Sequence, residues 1–386
     1  MTRGRASYDA IVVGLGGAGS AAAYHLALAG ERVLGLEQFG PNHAWGSSHG
    51  RTRIYRTAYF EGPAYVPLVR RAQELWHQLE ETSGRRIIQP TGGLMIGRPG
   101  TPTVAGARRT AEMGRLAHEV LSRDEVQQRF PQFRLQPEEV ALFDPAAGVL
   151  FPENCLEAHA AGAVGAGAEI HYGEPVKRWS ANSEAVVVET PSATYRGRSL
   201  VITAGPWTTR VMADLHLPLQ VERQFVLWFP STASDLASPD RMPVFLWDRG
   251  PSEHTYGIPD FGDGVKVGSW FGKRAASPES ADRIFREQDA DPVRRFVASS
   301  LSGVSPRETA YASCLYTNAP DQHFVLGRHP RRRRVIVVSA CSGHGFKFTS
   351  VIGEVISHLA RGEPTGYDLS LFDPNRFDRN RRASKS

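Results

Sequence analysis

The sequence GLGGAG at residues 14–19 has the glycine spacing GxGxxG of a turn that binds dinucleotides. In such a turn Gly14 permits the tight bend, Gly16 lets the backbone approach a pyrophosphate, and Gly19 lets the next helix pack closely. The N-terminus of that helix then faces the phosphate charge. Glu37 follows where an acidic residue binds a ribose with a free 2′-hydroxyl, which favours FAD or NAD over a 2′-phosphorylated nucleotide. The motif does not separate FAD from NAD, and a glycine turn without a ligand is the alternative.

Thiol chemistry is a second possibility, because the chain has the three cysteines Cys155, Cys314 and Cys341. They are too few and too scattered for a disulfide framework, no CxxC spacing supports zinc, and we predict no metal site. Cys314 could be a nucleophile if neighbouring cations lower its pKa. Most free cysteines are instead small buried apolar groups, and the residues alone favour that role. Cys341 lies beside a second glycine turn, which comprises residues 343–345, and we interpret Cys341 as a packing residue.

The first glycine turn lies within a predicted βαβ unit. The segment Tyr8–Val13 predicts a buried strand, residues 20–29 a helix with small residues against the sheet, and residues 32–37 a second strand. Because the connections are short, this order predicts a parallel sheet. Residues 65–81 then predict a helix with one apolar stripe.

The rest of the chain alternates between two kinds of pattern. Short strands and helices from Thr91 onward are followed by a helix over residues 153–166, a hairpin and the strand LVITAG. Strands with alternating aromatic residues come next, then a charged helix over residues 281–299 and a closing strand, glycine turn and helix. We predict an α/β protein in which a Rossmann-like dinucleotide-binding domain interleaves with an α+β second domain built on a mixed β-sheet. The first domain comprises residues 1–87, 150–219 and 323–386, and the second comprises residues 88–149 and 220–322.

Length and composition limit the class of protein. At 386 residues the chain exceeds what one hydrophobic core usually supports, and its 41% hydrophobic and 22% charged residues are typical of a globular protein. No run of about 18 apolar residues occurs and the N-terminus lacks signal-peptide features, so we expect a cytoplasmic protein that does not span a membrane. The net charge of +5 includes an arginine run at residues 331–334, which we interpret as a solvated turn. No nucleic-acid motif accompanies this charge, so we expect no nucleic-acid partner; a positive field could instead attract a small carboxylate.

Five short motifs occur in a fixed order along the chain: GLGGAG, HGRTRIYR, GVKVG, SCLYT and SGHGFK. In this order they make the chain similar to the family of monomeric sarcosine oxidase and N-methyltryptophan oxidase. The resemblance extends from Tyr8 to about Phe377, nearly the whole length. It implies a flavin enzyme whose second domain binds the substrate.

The resemblance implies FAD attached by a thioether from Cys314 to the flavin 8α carbon. Gly343 and Gly345 precede a helix, and the implied arrangement places the N-terminus of that helix near the flavin N1 and C2 carbonyl. Its partial positive charge would stabilise the anionic reduced flavin. The other positions that we assign to the cofactor are Val176, Gly205 and Lys347.

The same resemblance assigns the substrate carboxylate to Arg56 and Lys347. An arginine can bind a carboxylate with two parallel hydrogen bonds, while a lysine adds a point charge from another side. Tyr316 is expected to face the substrate. Trp270 stands where sarcosine oxidases of this family commonly have a histidine, four residues after Lys266, so the shape of the substrate pocket and the identity of the substrate stay open.

Three residues match catalytic or flavin-neighbouring positions of the family. Lys266 matches a lysine that helps O2 accept electrons, an electrostatic effect of a fixed positive charge. Because side chains alternate along a strand, Val265 and Val267 are expected on the opposite face. Arg53 and His49 match residues near the flavin. A solvated lysine, a surface ion pair and a satisfied polar contact are the ordinary alternatives for such residues.

The implied activity is oxidation of secondary α-amino acids by a monomeric FAD enzyme that uses O2. Sarcosine is the leading substrate, and the products would be glycine, formaldehyde and hydrogen peroxide. Bulkier N-methyl amino acids such as N-methyltryptophan, or cyclic imino acids such as proline and pipecolate, are alternatives. A dehydrogenase that passes electrons to a carrier protein and a non-catalytic FAD-binding protein are the remaining hypotheses.

Overall fold

The structure is a computed structural model, and it describes residues 8–250, 253–269, 274–281 and 283–377. The helices are α1 Gly17–Leu28, α2 Val66–Ser83, α3 Pro102–Gly114, α4 Arg123–Arg129, α5 Pro152–Gly165, α6 Thr208–Val211, α7 Ser234–Ala237, α8 Glu287–Ser300 and α9 Thr349–Arg361. The strands are β1 Tyr8–Val13, β2 Val33–Leu36, β3 Arg53–Tyr55, β4 Ile88–Pro90, β5 Gly93–Gly97, β6 Glu119–Leu121, β7 Val140–Asp144, β8 Gly148–Leu150, β9 Glu169–His171, β10 Arg178–Ala181, β11 Val186–Glu189, β12 Thr194–Ile202, β13 Gln220–Phe229, β14 Val244–Asp248, β15 His254–Ile258, β16 Val265–Ser269, β17 Arg274–Ala275, β18 Ala310–Asn318, β19 Val325–His329 and β20 Arg332–Ser339. Short 3₁₀ turns connect several of these elements.

The first sheet carries the first glycine turn. Its parallel core runs in the order β20, β12, β1, β2 and β9, with β1 between β12 and β2. The β10–β11 hairpin continues antiparallel from the first half of β12, and β19 pairs antiparallel with β20. The predicted parallel βαβ opening is therefore confirmed, because β1 and β2 pair in parallel across α1.

The second sheet is mixed, and it lies on the other side of a cavity from the first sheet. Its order is β17, β13, β16, β15, β14, β5, β7 and β6, and β18 pairs antiparallel with β13 along nine residues, from Gln220↔Asn318 to Trp228↔Ala310. Only the β14–β5 pair among these strands is parallel. A small third sheet, β3–β8–β4, begins with β3, which carries Arg53.

Each large sheet buries an apolar face against helices. Helices α1, α2, α5 and α9 cover the first sheet, and Trp76 of α2 is fully buried there. Its indole Nε1 donates a hydrogen bond to the carbonyl of Lys347 at 2.9 Å, which ties the helix layer to the second glycine turn. Phe296 of α8 packs on the second sheet with Phe245 and Trp247. A buried aromatic side chain of this size contributes roughly 1.5–3 kcal/mol.

The predicted α/β class is confirmed, while some element bounds differ from the predictions. Helix α1 begins at Gly17, three residues earlier than predicted, and α8 begins at Glu287 rather than at residue 281. The division of the chain into two domains at the predicted residues stays a prediction.

The arginine run is only in part the solvated turn that we predicted: Arg331 lies in the exposed turn between β19 and β20, whereas residues 332–334 belong to β20. Arg332 begins β20, and its guanidinium lies 3.3 Å from the Asp214 carboxylate. Arg334 donates to the carbonyls of Ser183 and Arg198. These oxygen acceptors allow an arginine-rich segment to continue into a strand. No helix in the described part of the chain has the length and apolarity needed to cross a bilayer.

Candidate active site

A cavity of about 1360 Å³ lies between the first and second sheets. Pockets for single small ligands usually measure roughly 300–1,000 Å³, so this one has room for a dinucleotide and a second small molecule. The predicted site residues that line it are Gly14, Gly16, Glu37, His49, Arg53, Arg56, Val176, Gly205, Lys266, Cys314, Tyr316, Gly343, Gly345 and Lys347. Trp270 lies outside the described residues. The cavity therefore brings together residues that are separated by up to some three hundred positions in sequence.

The first glycine turn is built as the motif predicts. Gly14 has φ +90°, and a Cβ there would lie 2.6 Å from the carbonyl oxygen of Thr203. Gly19 does not line the cavity; a Cβ there would lie 1.8 Å from the Gly14 oxygen, so it serves the close packing of α1. At Gly16, in contrast, a Cβ would meet only Ser48 Oγ, at 3.4 Å, among the described residues. The protein itself leaves this space open toward the cavity, as close approach of a ligand requires.

Glu37 fixes the shape of this turn. Its carboxylate accepts hydrogen bonds from the backbone N–H of Leu15 at 2.8 Å and of Phe39 at 3.0 Å, and it lies 3.5 Å from the ring of His43. Because a carboxylate has about four acceptor positions, it keeps capacity for a ribose hydroxyl. Ser48, which the sequence interpretation missed, accepts from the N–H of Gly17 at 3.0 Å and so satisfies one free donor at the start of α1.

Cys314 lies on β18 and is buried in the cavity wall. Burial raises the pKa of its thiol, and Arg53 and Lys266 oppose that shift without reversing it. We expected cations to lower the pKa of a nucleophilic Cys314; the cations are present, but desolvation outweighs them. Cys341 contacts the same strand through its sulfur, which accepts from the N–H of Thr317 at 3.3 Å.

Lys266 is directed at the loop before β3. Its side chain is 2% exposed, and Nζ donates to the carbonyls of Gly50 and Thr52, both at 2.8 Å. Burial, and then the charge of Arg53, lower the pKa of Lys266 well below its usual value. Its neighbours Val265 and Val267 pack in the apolar cluster behind the sheet, which confirms the predicted alternation.

Arg53 and His49 lie on the same side of the cavity as Lys266. The Arg53 guanidinium donates to the carbonyls of Ser47 at 2.5 Å and Thr52 at 2.8 Å. Burial, followed by the charge of Arg53, lowers the pKa of His49 to about 4, so this imidazole is neutral near pH 7. Its Nε2 has no hydrogen-bond partner within the described residues and is available to a ligand.

Arg56 and Lys347 come together around one aromatic ring. The Arg56 guanidinium carbon lies 4.2 Å from the ring centroid of Tyr59, and the Lys347 ammonium lies 5.2 Å from the same centroid. Both side chains are buried, at 2% and 5% exposure. Burial and then the charge of Arg56 lower the pKa of Lys347 to about 7. The structure thus brings together the two side chains to which we assigned the substrate carboxylate, and we refer to this predicted binding pair as the carboxylate site.

Glu61 was missed by the sequence interpretation and is the partner of Arg56. Arg56 Nη2 donates to both carboxylate oxygens, at 2.6 and 2.8 Å. Burial would raise the pKa of Glu61, but the charges of Arg56 and His344 hold it below its usual value. Arg56 Nη1 has no hydrogen-bond partner in the described part of the structure. An acid five residues after an arginine is the only sequence signal that could have suggested this pair.

The second glycine turn joins the carboxylate site to the cavity wall. A Cβ on Gly345 would lie 1.9 Å from the Ala340 oxygen, so only glycine fits there. Lys347 Nζ donates to the carbonyl of His344 at 2.6 Å, and the His344 ring is hydrogen-bonded to the Tyr59 hydroxyl. Tyr316 packs its ring against Gly343 and shares a hydrogen bond with Tyr256, a further residue that the sequence interpretation missed.

A family model described as FAD dependent oxidoreductase matches residues 9–359, which is most of the chain. The chain therefore belongs to this family, and FAD rather than NAD is its cofactor. The expected class, an FAD-dependent enzyme related to sarcosine and N-methyltryptophan oxidases, is confirmed. Within the described residues no group of three or more histidine, cysteine and acidic side chains could hold a metal ion.

Individual proteins of known name are similar to this chain over nearly its whole length. The chain is similar to a monomeric sarcosine oxidase from Streptomyces avermitilis, at 41% identity over 96% of this chain and 98% of that protein. It is also similar to an N-methyl-L-tryptophan oxidase from Yersinia pestis, at 33% identity over 96% and 99% of the two chains. Among solved structures it resembles NikD, an unusual amino acid oxidase essential for nikkomycin biosynthesis, with a TM-score of 0.85 at 25% identity over 96% and 98% of the chains.

Proposed function

We propose that this chain is an FAD-dependent oxidase of secondary α-amino acids, with sarcosine as the leading substrate. The observation that carries the proposal is the pair Arg56 and Lys347, both buried and both beside Tyr59, in the cavity that the first glycine turn also lines. The similarity to sarcosine and N-methyltryptophan oxidases supports the same substrate class.

The residues present fit FAD. Gly16 leaves room for a pyrophosphate, Glu37 keeps acceptor capacity for a ribose, and Cys314 lines the cavity beside Arg53. When bound, FAD supplies the acceptor for the electron pair that leaves the substrate C–N unit. We propose that Cys314 holds the flavin through a thioether, as the resemblance implies.

The chain's own residues define how a substrate would lie. Arg56 offers its unpartnered Nη1 and Lys347 its ammonium, so the carboxylate end of the substrate is drawn to the second glycine turn. The substrate nitrogen must be neutral to lose a hydride from its methyl carbon, and the two cations disfavour a protonated amine nearby. We propose that Lys266 assists the reduction of O2 in its protonated form, whose positive charge stabilises the negative charge that develops on oxygen.

A peroxide assay across amino acids of increasing size tests the activity. Sarcosine, N-methyl amino acids with larger side chains, proline and pipecolate should be supplied to the flavin-loaded enzyme, with an artificial electron acceptor in a parallel series. Peroxide formation with sarcosine or another N-methyl amino acid supports the oxidase. Turnover only with the artificial acceptor would indicate a dehydrogenase instead.

Acid denaturation tests the thioether. The yellow chromophore should stay with the precipitated wild-type chain and be released from Cys314→Ser, while Cys341→Ser should retain it as the matched control. Release from the wild-type protein would reject the covalent bond without rejecting FAD binding. Hydrogen peroxide as the product of O2 reduction, a monomeric state and a cytoplasmic location are further parts of the proposal.

A further inference from the structure

Two polar side chains on β13 face the cavity and have no side-chain partner among the residues that the structure describes. Glu222 is 4% exposed and Gln224 is likewise buried, and both line the cavity. The Glu222 carboxylate has no side-chain hydrogen bond or ion pair among the described residues, and its oxygens are open to the cavity. Its neighbour Arg223 points to the other face of the sheet, where it pairs with Asp289 at 3.3 Å.

The register of the sheet places Glu222 next to the substrate site. Glu222 lies directly opposite Tyr316 on β18, and Gln224 lies opposite Cys314. Directly opposed residues of an antiparallel pair share a face, with Cβ atoms about 4.5–5.5 Å apart. Tyr316 contacts Gly343 of the second glycine turn, so Glu222 lies one strand farther from the carboxylate site than Tyr316 does.

A carboxylate in a cavity wall becomes costly when a ligand displaces the water around it, unless that ligand supplies a partner. The hydroxyl of Tyr316, the residue opposite Glu222, is hydrogen-bonded to Tyr256. The substrate carboxylate belongs to Arg56 and Lys347. The reacting amine must be neutral, and a carboxylate would favour its protonated form, so the amine is not the group that Glu222 serves.

We propose that Glu222 is a specificity-determining residue that binds a cationic group at the end of the substrate side chain. The favoured class is then a secondary α-amino acid whose side chain carries an ammonium or a guanidinium, with its α-carboxylate at Arg56 and Lys347. The Gln224 amide lies beside Glu222 and adds a hydrogen-bond acceptor for the same cation. This inference rests on the proposed amino acid oxidase function.

The experiment compares kcat/KM for Nα-methyl-lysine and for its uncharged counterpart Nα-methyl-norleucine, with sarcosine in parallel. In the wild-type holoenzyme the charged substrate should be preferred roughly 10- to 100-fold, the size expected of one charge-assisted hydrogen bond in a desolvated site. Glu222→Gln should abolish that ratio, and Glu222→Lys should reverse it in favour of Nα-methyl-glutamate. Glu138→Gln, which removes an exposed carboxylate, is the charge-matched control and should keep the wild-type ratio.

The outcomes distinguish a failure of the role proposed for Glu222 from a failure of the oxidase proposal. No preference in the wild-type enzyme, or a preference that survives Glu222→Gln, would overturn the role of Glu222 while leaving the oxidase proposal intact. If no secondary α-amino acid is oxidised, whether N-methylated or cyclic, the oxidase proposal fails and this inference fails with it. Dissociation constants from flavin absorbance titrations under nitrogen provide a second readout, and they should show the same ratio before any turnover.

Discussion

At the scale of single residues, the carboxylate site contains its own carboxylate. Arg56 Nη2 donates to both Glu61 oxygens, which orients the guanidinium, while Arg56 Nη1 has no hydrogen-bond partner among the described residues. A substrate carboxylate could use Nη1 or compete with Glu61 for Nη2. Lys347 Nζ donates to the carbonyl of His344 and forms no ion pair with a carboxylate among the described residues. The lysine is therefore the residue whose charge responds most directly to pH.

The pKa of Lys347, lowered to about 7, predicts pH-dependent binding of anions. Methylthioacetate has a carboxylate but no amine, so its affinity reports the cations alone. Its dissociation constant should be lowest below pH 7 and should rise above pH 7 as Lys347 loses its proton, by up to tenfold per pH unit. Absorbance titrations of the holoenzyme between pH 6 and 9 measure it. The pKa of His344 is lowered to about 4, mainly by burial, so that ring does not titrate in this range.

The variant Lys347→Met separates this effect from other titrating groups. It should weaken methylthioacetate binding about 10- to 100-fold below pH 7 and make the affinity nearly independent of pH. If the variant kept the wild-type pH profile, Lys347 could not be the group that titrates. Normal flavin content in the variant shows that the loss concerns the anion and not the cofactor.

The sequence predicted that Arg56 and Lys347 act together, but not the environment that controls their charge. Glu61 and His344 contribute through contacts that depend on the packing of Tyr59, and no local pattern encodes those contacts. The same holds for Cys314, whose cationic neighbours were expected but whose burial has the larger effect on its pKa.

At the scale of secondary structure elements, two glycines of the first glycine turn have different roles: Gly19 is needed for folding, and Gly16 is needed for ligand binding. A Cβ on Gly19 would collide with the Gly14 carbonyl at 1.8 Å, so Gly19→Ala should push α1 away from β1 and lower the melting temperature of the apoprotein. A Cβ on Gly16 meets only Ser48 Oγ at 3.4 Å, so Gly16→Ala should leave apoprotein stability near that of wild type and lower flavin content.

Melting temperatures of the apoproteins and flavin per polypeptide distinguish the two effects. Gly165→Ala is the matched control, because that glycine ends α5 with nothing within 4 Å of its Cβ position. It should match wild type in flavin content. Full flavin content in Gly16→Ala would show that the pyrophosphate does not approach this position.

The elements themselves were largely predictable where one local signal dominates. The strand β1 and the glycine turn agree with the sequence because an apolar run and glycine spacing are local features. The strand β20 was predicted, but its start and that of α8 were misplaced, because charged residues at both starts were assigned to the wrong state. Asp214 and backbone carbonyls far away in sequence supply the partners that let Arg332 and Arg334 enter β20.

At the scale of the whole molecule, the site depends on two sheets that meet across one cavity. β1 and the second glycine turn belong to one wall, while β13 and β16 belong to the other. Family resemblance predicted residues on both walls, but residue patterns could not reveal which unassigned residues of β13 face inward. Strand register decides this, since a shift by one residue would exchange Glu222 for Arg223.

Acid stability is a property of the whole chain, and buried neutral histidines should govern part of it. The pKa of His159 is lowered well below its usual value, first by burial and then by His25, whose own pKa is about 4. Since the folded-state pKa lies below that of the unfolded chain, unfolded protein takes up the proton first as the pH falls below about 6.5. Each such histidine then lowers the free energy of unfolding by roughly 1.4 kcal/mol for each unit by which the pH falls, until the pH reaches the pKa of the folded state.

The variant His159→Phe should therefore reduce the loss of stability between pH 8 and pH 5. The His159 ring lies 5.3 Å from that of Tyr24 and 5.4 Å from that of Trp76, and its Nδ1 has no hydrogen-bond partner among the described residues, so phenylalanine suits the site. Urea denaturation at pH 8 and pH 5 measures the change, with His77→Gln, an exposed histidine, as the control that should behave as wild type. At pH 5 the phenylalanine variant should be more stable than wild type, because the unfolded wild-type chain gains a proton at residue 159 that the folded chain excludes. An equal loss of stability in both proteins would mean that His159 accepts its proton without unfolding, through a local opening of the layer formed by α1, α2 and α5.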